Sequence, residues 1–71
     1  MAKDIVIQFG KHIRELRLER EFTQEELASR SKISLKYIQK IEGRNPPNLG
    51  LVALQKLANG FDVPLWRLLK F

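Results

Sequence analysis

The sequence predicts an all-α fold, a compact five-helix bundle that forms a single domain over residues 1–71. Three observations predict it. Apolar residues recur at spacings of three and four along most of the chain, whereas no stretch alternates as a half-buried strand does. Capping and helix-ending residues divide these stretches into five pieces. A chain of 71 residues is also too short for two domains.

The first helix is predicted over residues 4–20. Its apolar stripe consists of Ile5, Phe9, Ile13 and Leu16. Gly10 interrupts the helical pattern only mildly. The single histidine, His12, lies beside the stripe and is interpreted as an edge-of-core side chain.

The second helix is predicted over residues 24–30 and has a strong start signal. Thr23 is followed three residues later by Glu26, which indicates a capping box with reciprocal side-chain and backbone hydrogen bonds. Phe22 and Leu27 have the spacing of a hydrophobic staple. The residues after Arg30 break the pattern and should end the helix.

The third helix is predicted over residues 35–42, with Ser34 as its N-cap and Gly43 in the left-handed turn that ends it. At 100° per residue, Ile38 and Ile41 face the core. The opposite face carries Lys36, Tyr37, Lys40 and Arg44.

An exposed loop with two prolines, residues 45–48, separates the third helix from the fourth. The fourth helix begins near Asn48 or Gly50 and is closed by Asn59-Gly60. Its apolar residues are Leu51, Leu54, Leu57, Ala58 and Phe61. Pro64 is predicted at the first position of the fifth helix, with Leu65, Leu68 and Leu69 on its apolar side.

The positive charge is concentrated around the third helix. The chain carries 13 Lys and Arg against 8 Asp and Glu, a formal net charge of +5. Segment 30–44 contains one acidic residue, Glu42, and five basic residues: Arg30, Lys32, Lys36, Lys40 and Arg44. A helix with an apolar inner face and a basic outer face fits the major groove of B-form DNA. The sequence therefore favours binding to double-stranded DNA over a merely solvated charged face.

Four segments of the chain resemble the helix-turn-helix regulators of the Cro and cI type, also called XRE-like. They are residues 22–28 (FTQEELA), 33–44 (ISLKYIQKIEGR), 54–58 (LQKLA) and 63–65 (VPL). The resemblance covers roughly residues 8–70, with the helix-turn-helix at about 23–43. It implies a lambda-repressor-like domain that docks as a homodimer on a short palindromic operator and regulates transcription.

The resemblance also implies roles for individual residues. Gln24 matches a phosphate-gripping position, and Ser34, Leu35 and Lys36 match base-contacting positions. Tyr37 and Lys40 match positions that reach phosphate or a farther base. Arg44 and Asn45 match loop positions that meet phosphate. For Gln24, Leu35, Tyr37 and Lys40, a purely structural or solvated role is the alternative.

Other matched positions are structural. Ala28 is the small residue at the crossing of the two helices, and Arg17 and Glu42 match a partly buried ion pair. Lys32 stands where relatives usually have Gly or a small polar residue at positive φ. A side chain there is expected to cost roughly 1 kcal/mol.

The resemblance, together with the need of so small a chain for more buried area, implies a dimer interface on the last helix, formed by Trp66, Leu69 and Phe71. A core position is the alternative for Trp66. The compact chain is either a complete Cro-like or controller-type regulator or an excised DNA-binding domain. Its setting is a phage switch, a restriction-modification controller or an antitoxin. The expected location is the cytoplasm of a bacterial cell, in association with the nucleoid.

Two rival classes of protein are compatible with a small helical domain. An enzyme is disfavoured because His12 has no nucleophile partner and the carboxylates are spaced along solvated helix faces. The chain has no cysteine, and no cofactor, metal site or membrane partner is predicted. The second rival is an antitoxin-type or protein-interaction module that keeps the fold without binding DNA.

Overall fold

The computed structural model describes residues 2–71, with side chains from Asp4 onward. Met1, where the predicted domain begins, lies outside the described residues. The described chain forms five helices: α1 (Ala2–Glu19), α2 (Gln24–Ser31), α3 (Leu35–Ile41), α4 (Leu51–Phe61) and α5 (Leu65–Leu68). The predicted all-α class and helix order are therefore confirmed.

One hydrophobic core lies between all five helices. Its buried members come from every helix and are Phe9, Ile13, Leu27, Ala28, Ile38, Ile41, Leu57, Ala58, Phe61 and Leu68. α2 packs chiefly against α4 and α3. At the α2–α4 crossing, a Cβ added to Gly60 would lie 2.9 Å from Cβ of Ser31. The two helices can approach this closely because Gly60 has no side chain.

α1 and α3 also cross at a glycine. A Cβ added to Gly10 would overlap the carbonyl oxygen of Ile41. Gly10 is therefore the residue at which α1 and α3 come into closest contact. The sequence predicted only that it interrupts the helical pattern mildly.

The N-caps of α2 and α3 match the sequence prediction in part. Oγ1 of Thr23 accepts a hydrogen bond from the amide of Glu26 at 3.0 Å, and Oγ of Ser34 accepts from the amide of Tyr37 at 3.2 Å. The Glu26 carboxylate differs from the expected capping box. It accepts from Nη2 of Arg30 at 3.4 Å, one helical turn away, in place of the Thr23 amide.

Several helix ends differ from the predicted ones. α2 includes Ser31, whose hydroxyl donates to the carbonyl of Leu27 at 2.7 Å and so is satisfied inside the helix. α4 runs through Asn59 and Gly60, because its left-handed residue is Asp62, at φ 58°.

The end of α3 and the start of α5 also differ from the prediction. α3 closes without a left-handed glycine, since Glu42 caps it in a right-handed conformation and none of the described glycines has positive φ. Pro64 is the extended N-cap of α5, with ψ 154°, and the helix begins one residue later at Leu65. The carbonyl of Pro64 accepts hydrogen bonds from the amides of Arg67 and Leu68.

Candidate nucleic-acid interface

In the helix-turn-helix that the sequence resembles, the second helix is called the recognition helix, and in this chain it is α3. It is oriented as its sequence phase predicts. Ile38 and Ile41 are completely buried, whereas Lys36 and Lys40 are exposed on the other side of the helix. Gln39 is exposed on the same side of the helix as the two lysines. α3 thus presents two amines and one amide to solvent, and an amide group can bind adenine in the major groove.

Gln39 was not among the predicted site residues. The signal was present in the helical phase, because Gln39 lies 60° from Lys36 on a helix of 100° per residue. The prediction followed charge and matched positions, and therefore passed over a neutral side chain.

The first residues of α3 divide between the surface and the core. Ser34 and Lys36 are exposed, and the Ser34 hydroxyl is occupied in capping the helix. Leu35 is half-buried and packs against the core, as does Tyr37. Tyr37 was predicted on the outer face with the lysines; the structure instead places it at the flank, where its ring is partly covered.

Tyr37 and Ser34 line one groove beside the start of α3. This groove has a volume of about 410 Å³ and is completed by Lys32, Ile33, Val52, Ala53 and Lys56. Lys32 and Lys56 are exposed and flank the first turn of the recognition helix. The N-terminal end of α3 is therefore bordered by positive charge.

Two side chains and a backbone carbonyl form a hydrogen-bonded network on the inner side of α3. Nε of Arg17 donates to Oε2 of Glu42 at 2.8 Å, and Nη2 donates to Oε1 at 3.0 Å, which is a two-point ion pair. Nη1 of Arg17 donates to the carbonyl of Phe22 at 2.9 Å. The Glu42 side chain is only 4% exposed and that of Arg17 10%. The network ties α1 and the α1–α2 turn to the end of α3.

The hydrogen bond that Arg17 donates to Glu42 raises the pKa of Arg17 above its ordinary value, against the opposing effect of burial. A raised pKa favours the charged folded state, so the stability that this guanidinium contributes would be lost only at pH above its unfolded pKa. Arg17 therefore stays charged throughout the pH range in which DNA binding is measured.

Gln24 joins the same network. Its Nε2 donates to Oε1 of Glu42 at 3.1 Å. A side-chain amide has two hydrogens, so one remains for another acceptor while the first fixes the orientation of the group. Glu42 thus accepts three hydrogen bonds from Arg17 and Gln24, and its carboxylate is turned to the interior and not to the exposed surface of α3.

Arg44 and Asn45 are exposed beyond the end of α3. Arg44 lines a groove of about 430 Å³ between this segment and α1, together with Ile7, Lys11, Arg14, Glu42 and Gly43. Lys11 and Arg14 were not predicted as site residues. Their spacing of three puts both on one side of α1, but the sequence does not reveal that this side lies next to Arg44.

The three predicted dimer-interface residues are exposed, at 67% for Trp66, 42% for Leu69 and 50% for Phe71. Leu69 and Phe71 line an apolar groove of about 170 Å³ with Ile5, Val6, Phe9, Leu49 and Leu54. Trp66 does not join them. It lines a different groove between α1 and α5, so the core position considered for it is wrong.

His12 has the edge-of-core position predicted for it. Its Nε2 lies 3.0 Å from the carbonyl oxygen of Leu68, and its ring stacks on Phe71 with centroids 5.3 Å apart. Phe71 also contacts Phe9, at 5.4 Å between centroids. These aromatic contacts hold the last residues against α1.

Within residues 2–71, no group of three histidine or carboxylate side chains is arranged to hold a metal ion. In the same part of the chain, no helix is both long enough and apolar enough to cross a membrane.

The fold is shared with solved regulator structures. The chain is 34% identical to the restriction-modification controller protein C.AhdI from Aeromonas hydrophila, with a TM-score of 0.83 over 92% of this chain and 97% of that one. It is 33% identical to wild-type controller protein C.Esp1396I, with a TM-score of 0.77 over 90% of this chain and 86% of that one. C.Esp1396I bound to a 19-base-pair DNA duplex is also similar, at 33% identity and a TM-score of 0.78, over 90% and 88% of the two chains.

A comparison with curated protein sequences gave no match. The helix-turn-helix family profile matches residues 13–65, which span the last turns of α1, then α2, the turn, α3 and α4. With a buried apolar side and a basic outer side on α3, and with this match over most of its length, the chain belongs to the helix-turn-helix family of XRE-like regulators.

Proposed function

We propose that this protein is a sequence-specific regulator of transcription that reads the major groove of double-stranded DNA with α3. The observation that carries the proposal is the orientation of this helix. Two completely buried isoleucines, Ile38 and Ile41, hold it in place, while Lys36, Gln39 and Lys40 project outward. Membership of the helix-turn-helix family supports the same function.

The proposed contacts divide into base reading and phosphate binding. Lys36 donates to guanine O6 or N7, and the exposed part of Leu35 packs on a thymine methyl group. Gln24 uses its remaining amide hydrogen for a phosphate oxygen. The other contacts are to the backbone or to a farther base, and they come from Ser34, Tyr37, Lys40, Arg44 and Asn45.

The regulator acts as a homodimer on a palindromic operator. A chain of this size buries only ~60% of its unfolded surface on folding, and Leu69 and Phe71 expose apolar area beside a groove that a second copy can cover. A twofold axis would pair two α3 helices with half-sites about one helical turn apart. Trp66 lines the separate α1–α5 groove and is not part of this interface.

Within this class we propose the controller type, which regulates a restriction-modification system in the bacterial cytoplasm. The support is the agreement over nearly full length with C.AhdI and C.Esp1396I, since 92% and 90% of this chain align with them. The structure of C.Esp1396I bound to a 19-base-pair DNA duplex supports an operator of about that length for this protein.

The test begins with selection of bound sites from a random DNA pool, followed by fluorescence anisotropy with the selected duplex. We expect Lys36→Ala with Lys40→Ala to lower affinity at least tenfold and to leave the helical circular dichroism unchanged. Arg67→Ala with Lys70→Ala is the matched control, because it removes the same charge from the α1–α5 groove. Since Lys70 lies between Leu69 and Phe71, sedimentation analysis must show that this control keeps the parental dimer.

Affinity of the parent protein should also fall steeply with salt, by a log-log slope of ~0.9 for each neutralised phosphate. Absence of a selected site, or equal affinity of the Lys36/Lys40 variant and the parent, would contradict the proposal. Either result would favour a module that keeps this fold for protein interaction.

A further inference from the structure

A basic groove adjoins the recognition helix on the side away from α5. It lies between α1 and the segment that follows α3, has a volume of about 430 Å³, and contains Lys11 and Arg14 of α1 opposite Arg44. Ile7 and Gly43 complete its walls, and Glu42 closes its inner end. None of the helix-turn-helix residues predicted to bind DNA belongs to α1.

The positive charge of this groove is not compensated by the protein. Lys11, Arg14 and Arg44 are exposed, and none of the three is in an ion pair within residues 4–71. The one carboxylate lining the groove, Glu42, already accepts two hydrogen bonds from Arg17 and one from Gln24. Three cations therefore line the same space, and the one carboxylate that lines it with them is already hydrogen-bonded to other groups.

The groove adjoins the C-terminal end of α3. Gly43, which lines it, follows the last helical residue, Ile41, by two positions, and Lys40 is exposed in the last turn of the helix. A duplex that lies along α3 brings its sugar-phosphate backbone past this end. The backbone of duplex DNA carries one negative charge per ~1.7 Å of helix axis.

We propose that Lys11 and Arg14 of α1, together with Arg44, bind the phosphodiester backbone beside the bases that α3 reads. The DNA contact of this protein then extends beyond the helix-turn-helix to its first helix. This inference rests on the proposed function. Phosphates are alike at every base pair, so these contacts strengthen binding and fix the register of the protein without contributing to base preference.

The experiment compares the double variant Lys11→Gln, Arg14→Gln with the parent on the selected operator over a series of KCl concentrations. The matched control is Arg67→Gln, Lys70→Gln, which removes the same charge from the groove on the opposite side of α1. The conservative pair Lys11→Arg, Arg14→Lys retains the charge. Circular dichroism and thermal unfolding verify that all variants are folded.

For the Lys11/Arg14 variant we expect the slope of log affinity against log salt to decrease by ~0.9 for each phosphate that the protein no longer neutralises, summed over both protomers. The ratio of affinities for the operator and a scrambled duplex should stay constant. The control and the conservative pair should keep the parental slope.

A second measurement locates the bound phosphates by shortening the operator duplex from its ends. The parent should lose affinity at a length where the Lys11/Arg14 variant loses none, because the variant no longer binds the flanking phosphates. An unchanged salt slope, an equal decrease in the control, or a changed operator preference would overturn the inference while leaving the proposed function intact. Failure of the parent to bind any duplex would instead overturn both.

Discussion

Three single residues end helices in the left-handed conformation, and none of them is glycine. They are Glu21, Lys32 and Asp62, with φ of 57°, 58° and 58°. In each case, the amide of the next residue donates to the carbonyl five positions back, at 3.0 to 3.1 Å, which is the Schellman motif. Those next residues are apolar and pack against the core: Phe22, Ile33 and Val63. Burial of the following residue offsets the cost of the left-handed backbone.

Replacing the strained lysine should stabilise the protein. For Lys32→Gly we expect a gain of ~1 kcal/mol in the free energy of unfolding, because glycine adopts positive φ without steric cost. In a domain of this size, the melting temperature should rise by ~4–8 °C. The change in melting temperature is measured by thermal unfolding monitored with circular dichroism. Lys32→Ala removes the same charge but keeps a Cβ, so a rise of equal size in that variant would point to charge rather than backbone strain.

The buried ion pair should be far more sensitive than an exposed one. Glu42→Gln leaves the Arg17 guanidinium buried without an opposite charge, and we expect it to lower the free energy of unfolding by ~3 kcal/mol. Glu26→Gln weakens the pair with Arg30, whose side chains are 44% and 51% exposed, and should cost less than ~1 kcal/mol. Urea denaturation of both variants provides the comparison. Similar decreases would mean that burial does not strengthen the Arg17–Glu42 pair.

At the scale of elements, the position of α3 depends on how closely it can approach α1. Gly10 and the carbonyl of Ile41 are in contact at this crossing, and the Arg17–Glu42 pair lies two turns farther along α1. One contact is steric and the other is electrostatic. Together they hold the recognition helix at a defined angle on the core.

A methyl group at the crossing should separate the two helices. We expect Gly10→Ala to lower the free energy of unfolding by ~3 kcal/mol or more, because the obstacle is backbone that cannot rotate away. Gly50→Ala is the control, since a Cβ there meets nothing within 4 Å, and it should cost at most ~1 kcal/mol as a loss of N-cap preference. Denaturant unfolding compares the free energies of unfolding of the two variants. Equal stability would show that α1 and α3 can shift apart freely.

At the scale of the whole molecule, charge and apolar surface are separated. Exposed cations surround α3 and line the α1–Arg44 groove, whereas Leu69 and Phe71 border an apolar groove at the end of the chain. In the proposed complex with a symmetric operator, the basic surface binds the phosphates and the apolar surface binds a second copy of the chain.

Charge placed on the apolar border should prevent the proposed dimer. For Leu69→Glu we expect the dimerisation constant to weaken at least tenfold, because a carboxylate would be buried in the interface. Operator affinity should decrease with it, and sedimentation analysis measures the dimer directly. Leu18→Glu introduces the same charge at another exposed leucine, 54% accessible on α1. A dimer that weakens equally in both variants would contradict the proposed location of the interface.

The local signals of the sequence predicted the type and order of all five helices. Apolar spacing depends on which face of a helix is buried, and capping by Thr23 and Ser34 depends on neighbours within three residues. The same information predicted the inward side of α3 and its basic outer side. The sequence predicted the positions of helix ends less well. Gly60 suggested an end for α4 that lies instead at Asp62, where Val63 packs against the core, and Gly43 suggested a left-handed end for α3, which closes right-handed at Glu42.

Contacts between distant segments follow from the packed fold and not from local spacing. Lys11 and Arg14 line the same groove as Arg44 only because Gly10 lets α1 lie against α3. Gln24 is oriented by its hydrogen bond to Glu42, which is 18 residues away in the sequence. Helix type is a matter of short-range periodicity, so it can be read along the chain. The shape and charge of a binding surface arise from residues far apart in sequence, and folding must bring them together before the surface exists.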